Sequence, residues 1–141
     1  MPTNVVTRID PLDLQKNIAI GVSLPFSGPA GPFNSTFSTA DQIKSNFINL
    51  LLTNKGERLY NPNFGADLKK ALFEGINNDI ELVIRNLINT NTSIFVPEIT
   101  INKIDFSDQT SSQAQNNTIT VTITYTINIS GNVNQITVQF V

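Results

Sequence analysis

The sequence holds no cysteine, no histidine and no tryptophan, and only 14% of its 141 residues are charged. Without cysteine there is no disulfide framework, no thiol nucleophile and no thiolate zinc site. Without histidine the commonest general base and the commonest metal ligand are missing. The charged fraction falls well below the quarter or so usual in soluble proteins. Asn, Thr, Ser and Gln take up the difference. Such a surface is wet but weakly self-repelling, which suits either a chain packed against others or a small neutral domain from an AT-rich genome. Net charge is −2 and the pI is near 4.9. Arg8, Lys16, Lys44, Lys55, Arg58, Arg85 and Lys103 stand singly, and only Lys69 and Lys70 are adjacent. That scatter argues against a nucleic-acid partner, whose binding rests on clustered phosphate contacts. No apolar run approaches the ~20 residues of a membrane span, so no membrane partner is expected. The first residues lack a basic-then-apolar leader pattern, so synthesis and assembly in the cytoplasm are expected.

Catalytic patterns are equally scarce. An all-oxygen calcium loop needs the D-x-D-x-D-G spacing with a distal Glu, and it is absent. Ser and Thr abound, but they lack a histidine partner and a G-x-S-x-G elbow. The loop Gly28-Pro29-Ala30-Gly31-Pro32 is proline-locked and precedes no Lys-Ser or Lys-Thr, so it is not a phosphate loop. A glycosidase needs two carboxyl groups roughly 5 to 9.5 Å apart. Glu57, Asp67, Glu74, Asp79 and Glu81 offer nominal pairs. However, Asp67, Asp79 and Glu81 sit where helix N-termini favour anions, and Glu74 lies near a helix end. No catalytic residue, cofactor or metal ligand is assigned. The alternative kept open is a peptidoglycan-cleaving enzyme using Glu57 or Glu74.

The order of elements predicts an α+β fold, two to three helices packed on a mainly antiparallel sheet. Residues 1–17 read as an N-terminal arm and 18–141 as a single domain, within the usual size of one core. Ile18, Ile20, Val22 and Leu24 alternate as in a half-buried strand that Pro25 ends. Thr39-Ala40-Asp41-Gln42 fits a capping box, followed by Ile43, Phe47, Leu50 and Leu51 on one helical stripe. Gly56, just past Lys55, suits a left-handed helix cap. Asp67 is placed to cap a short helix through Leu68, Ala71 and Leu72 to Gly75. Asn78-Asp79 opens another, with Ile80, Ile84, Leu87 and Ile88 as its stripe through about Asn89. Leu82 and Val83 widen that stripe and predict cover on more than one side. Beyond Pro97 the period changes to two. Ile99 and Ile101 share one parity, Ile104 and Phe106 the other, which predicts a β-bulge near Asn102-Lys103. After a polar connector over 107–117, isoleucine, valine and tyrosine alternate with threonine from Ile119 to Ile129. A turn at Ser130-Gly131-Asn132 leads to a last strand with Ile136, Val138 and Phe140. The C-terminal third is thus a three-stranded meander.

Two features stand out against this plain background. From Gln109 to Val141 there is no charged side chain, although edge strands are normally blunted by charge, proline or a bulge. Either the strand over 18–24 covers that edge, or a partner strand completes the sheet. The second feature is the stretch from Thr53 to Gly65, where Glu57-Arg58 follows a helix end and Pro62 and Gly65 stiffen what comes next. Arg58 is either an exposed pair partner contributing under about 1 kcal/mol or a directed docking group.

This stretch resembles the signature of the baseplate wedge family of contractile tails. In that family a helix ending in T-x-x-G-E/P-R runs into P-x-[FY]-G-x-x-L and then LFE. Here the residues are Thr53-Asn54-Lys55-Gly56-Glu57-Arg58, Pro62-Asn63-Phe64-Gly65-Ala66-Asp67-Leu68 and Leu72-Phe73-Glu74. The likeness covers roughly 36–141. Some members carry Glu-Pro-Arg where this chain has Gly-Glu-Arg. Members include phage wedge proteins sometimes labelled tail lysozyme, sheath initiators of extracellular injection particles and a type VI secretion component. The resemblance implies a non-enzymatic virion tail baseplate subunit, present in six copies, that meets other wedge proteins, the tail sheath and tube or hub proteins. It implies that Glu57 and Arg58 bind a wedge partner while Asn61, Pro62, Phe64 and Gly65 hold the turn. It also implies that the last strand, with Ile136, Val138 and Phe140, offers its ladder to sheath strands.

Overall fold

A computed structural model describes residues 10–24, 26, 33–74, 80–109 and 118–140. A 3₁₀ turn at Pro11–Leu14 is followed by β1 (Gly21–Val22), β2 (Ser35–Thr36), α1 (Thr39–Leu52), α2 (Leu68–Glu74) and α3 (Ile80–Phe95). Three long strands complete the fold: β3 (Ile99–Gln109), β4 (Thr118–Ile127) and β5 (Val133–Phe140). They form an antiparallel sheet in the order β3-β4-β5, and β1 with β2 forms a separate small antiparallel pair. The expected α+β class and C-terminal meander are both present.

The sheet has one wet face and one dry face because β4 alternates strictly. Val121, Ile123, Tyr125 and Ile127 are buried, while exposed polar groups link the strands on the other face, as in Asn102 Nδ2 donating to Thr126 Oγ1 at 2.7 Å. The bulge expected near Asn102 is there, as a register shift between Ile101 and Lys103. It inserts one residue, so Ile99 and Ile101 on one side and Ile104 and Phe106 on the other oppose Ile127, Tyr125, Ile123 and Val121. A parity change in the sequence thereby becomes a single apolar face in space.

The helices cover that face. Ile43, Phe47, Leu50 and Leu51 of α1 are buried, and the Phe47 ring meets Tyr125 edge-on at 5.0 Å between centroids. Ile84 and Ile88 of α3 join the same core. The Tyr125 hydroxyl and Thr92 Oγ1 lie buried without a hydrogen-bond partner.

Several expectations change in detail. The strand over 18–24 is ordered as a strand only at β1, and its partner is β2. It therefore does not cover β5. The capping box is not formed: Ser38 is the N-cap and its side chain makes no capping bond. Gln42 Oε1 instead accepts from Thr36 Oγ1 at 2.6 Å. The α1 terminus is closed from the 3₁₀ turn, where Asp13 Oδ1 accepts from Thr39 N at 2.7 Å and Thr39 Oγ1 at 2.9 Å. An anion from a distant segment does the work expected of a local hydroxyl.

Gly56 is not the helix cap either, since α1 ends at Leu52 with Thr53 as C-cap. Asp67 precedes α2, but its carboxylate accepts from Lys55 N at 2.7 Å rather than closing that helix. The third helix runs six residues past Asn89. Leu82 and Val83 are exposed rather than covered. The 28–32 loop, Pro25, Gly75, Asn78-Asp79 and most of the polar connector lie outside the described residues.

Candidate docking site

The corner after α1 is a closed knot of backbone bonds. Ala66 N donates to both Leu50 O and Thr53 O at 3.1 Å, which ties the far end of the loop to the end of α1. Across the middle, Gly56 N donates to Pro62 O at 2.7 Å, and Phe64 N donates to Asn61 O at 3.1 Å. Gly65 has φ +132°, and a Cβ there would stand 2.6 Å from Thr53 O. Only glycine lets the two ends of the loop come this close.

Glu57 and Arg58, neighbours in sequence, serve different partners. The Glu57 carboxylate accepts from Asn54 N at 2.9 Å and Asn54 Nδ2 at 2.8 Å, closing the turn on itself. The backbone bond from Asn54 first, then its side chain and nearby Lys69, hold the Glu57 carboxyl below its ordinary range. Hydrogen bonds to the ionised form have that effect. The folded pKa is depressed, so this contribution is present above the ordinary glutamate range and is lost as pH falls through the folded value. In an NMR pH titration, the Asn54 amide should shift with a midpoint below that of an unstructured glutamate. A midpoint at or above it would show that the clasp is not formed.

Arg58 lays its guanidinium over the Phe64 ring, 3.7 Å from the centroid. Phe64 is buried and meets Phe95, at the end of α3, edge-on at 5.1 Å. A stacked guanidinium keeps its in-plane N–H edges available for a carboxylate. The aim of Arg58 is therefore set by an aromatic pair anchored in the core, with no help from Glu57. Glu57, Arg58, Asn61, Pro62, Phe64 and Gly65 are all brought together here.

The sequence model of the family described as Baseplate wedge protein gp25 matches residues 38–132. The chain belongs to this family. Membership makes it a baseplate component of a phage-like tail, and the matched span holds α1, the corner and the sheet through the β4–β5 turn. Two solved structures share the fold. One, a protein from Geobacter sulfurreducens that carries a provisional tail-lysozyme name, has TM-score 0.62 and 20% identity, covering 73% of this chain and 90% of its own. The other, a chain of the anti-feeding prophage baseplate, has TM-score 0.60 and 18% identity, covering 75% of this chain and 82% of its own. Among curated proteins, none matches the chain at a significant level.

The second set of expected contact residues lies on β5. Ile136 and Val138 are buried and Phe140 packs against the core. Ile127 N donates to Asn132 O, so with the register of β4 and β5 the hydrogen-bonded pairs are Tyr125 with Asn134, Ile123 with Ile136, Val121 with Val138 and Ile119 with Phe140. Backbone groups of Ile136, Val138 and Phe140 are thus spent on β4. Those pointing away from the sheet belong to Val133, Gln135, Thr137 and Gln139. Among the described residues, no strand pairs with them. The opposite edge is different: β3 carries the bulge and an exposed Lys103–Asp105 ion pair at 2.8 Å.

A cavity of about 440 Å³ lies between the β1–β2 pair and the start of α1. Its Ser45 hydroxyl accepts from Leu24 N and donates to Asp41 O, which occupies it structurally. Sequence reasoning passed over two corner residues, Leu59 and Tyr60, which are both fully exposed. The signal was available: two large apolar side chains inside an otherwise polar turn.

Proposed function

We propose that the chain is a structural wedge subunit that meets neighbouring wedge proteins at the 53–67 corner and starts the sheath by accepting a sheath strand along β5. The observation that carries this reading is the contrast between the sheet edges. β3 is blunted by a bulge and charge, whereas β5 has no strand partner on its outer side among the described residues and no charged residue falls between Gln109 and Val141. Natural proteins rarely leave such an edge unless a strand completes it. Sheath, tube or hub proteins and six copies per particle are part of the proposal, in keeping with the sixfold baseplate that holds the related prophage chain. Assembly would take place in the host bacterial cytoplasm, with 1–17 as an arm on a single domain.

A lysozyme role finds less support. A glycosidase general acid needs burial and a raised pKa, and Glu57 is exposed with its carboxyl held down; the side chain of Glu74, the other candidate, lies outside the described residues.

The test is Thr137→Pro. Proline removes one outward N–H and leaves the β4–β5 bonds intact, which an edge strand tolerates. Purified protein should keep its thermal midpoint within a few degrees, while particles carrying it should show baseplates with bare tubes in electron microscopy. Sheaths of wild-type length on those particles would overturn the augmentation role.

A further inference from the structure

Leu59 is 94% exposed and Tyr60 is 102% exposed, the most solvent-facing apolar side chains among the described residues. They do not lie on a loose loop. The bond from Gly56 N to Pro62 O closes directly beneath them, and the Glu57–Asn54 clasp braces one side. Arg58, the residue before them, is stacked on a buried ring. The chain has therefore fixed the backbone of a turn whose outermost side chains are almost wholly given to solvent. Burying a Leu or Tyr releases about 25 cal/mol per Å², and a rigid presentation lowers the ordering cost of binding.

The surroundings are cationic. Residues 53–69 hold Lys55, Arg58 and Lys69 against Glu57 and Asp67, in a chain whose net charge is −2. Both of these carboxylates are already engaged by backbone amides, at Asn54 and Lys55. A complementary surface would thus offer an apolar hollow with carboxylates at its rim.

Building on the wedge reading, we infer that Leu59 and Tyr60 form a plug that seats in an apolar, acid-rimmed pocket of another baseplate protein and supplies most of the binding energy at this corner. Tyrosine is among the residues enriched at such energetic centres. Two cavities among the described residues, of about 440 and 200 Å³, are lined mainly by Ser, Thr, Asn and Asp, which favours a different protein over a second copy as receptor. A lipid surface is also a poor fit. Two side chains flanked by Asn61, Asn63 and the Glu57 carboxylate lack the apolar face of an interfacial helix.

The experiment compares Leu59→Ser/Tyr60→Ser with Tyr60→Phe in assembled particles. Both variants should keep the wild-type thermal midpoint, since the side chains are exposed and bury almost no area. The double variant should enter baseplates at least about tenfold less well, and Tyr60→Phe should enter normally. A benzophenone amino acid at position 60 should crosslink, on irradiation of purified particles, to an Asp- or Glu-containing apolar peptide of a different baseplate protein. Wild-type incorporation of the double variant, crosslinks to a second copy, or no crosslink would overturn the plug. Tyr60-dependent sedimentation with phosphatidylglycerol vesicles would also overturn it. The wedge reading fails separately, by absence of the wild-type chain from purified baseplates.

Discussion

Gly65→Ala is expected to cost roughly 3 kcal/mol of stability, the sum of left-handed backbone strain and steric overpacking. The added Cβ would stand 2.6 Å from Thr53 O, 2.8 Å from Asn54 C and 3.0 Å from Lys55 N, all backbone atoms. None of them can swing aside as a side-chain tip would. The chain must therefore shift, and the bonds from Ala66 N to Leu50 O and Thr53 O are the first to lengthen. Gly56→Ala is the internal comparison. Gly56 also has positive φ, at +89°, but a Cβ there meets nothing within 4 Å. It should lose only about 1 kcal/mol, the strain alone. In thermal melts the Gly65 variant should fall on the order of 10 °C, well beyond Gly56→Ala. Equal losses at the two positions would show that the close approach of the loop ends does not matter.

Phe47→Ala should be the most damaging side-chain truncation, at about 3–5 kcal/mol. Phe47 is fully buried and its ring lies edge-on to Tyr125, so it joins α1 to the central strand of the sheet. Small domains have only about 5–15 kcal/mol to lose. Urea unfolding followed by circular dichroism should show a large fall in midpoint with little change in slope. A loss under about 1 kcal/mol would mean that α1 does not rest on the sheet through this ring.

The parts of the fold that read well from sequence are those where side-chain period alone decides. Ile43, Phe47, Leu50 and Leu51 could only share a helix face, and the parity change from Ile101 to Ile104 could only be absorbed by a bulge. Less legible were elements held by distant partners. Strand β2 consists of Ser35 and Thr36, with no apolar signal, and exists because β1 pairs with it. The end of α3 includes Asn91 and Thr92, polar residues that are nevertheless buried. Asn91 manages this by donating to Leu87 O at 2.8 Å, a bond invisible to periodicity.

Helix termini misled for the same reason. The α1 cap comes from Asp13, 26 residues before Thr39. At the corner, the residues singled out from sequence do meet in space but are joined differently. Adjacency suggested a Glu57–Arg58 pair, whereas the turn directs Glu57 back to Asn54 and Arg58 onto Phe64. Leu59 and Tyr60 are visible in sequence as two large side chains in a turn, but their exposure depends on how the loop closes.

The unequal edges of the sheet also set a valence. A strand added to β5 makes a four-stranded sheet whose other boundary is still β3, with its bulge and its Lys103–Asp105 pair. Bulge and charge oppose a further strand on that side. Under the proposed augmentation each copy would therefore take one strand and pass none across its own sheet, so the number of chains recruited would equal the number of copies present. Such a protein would count as well as bind.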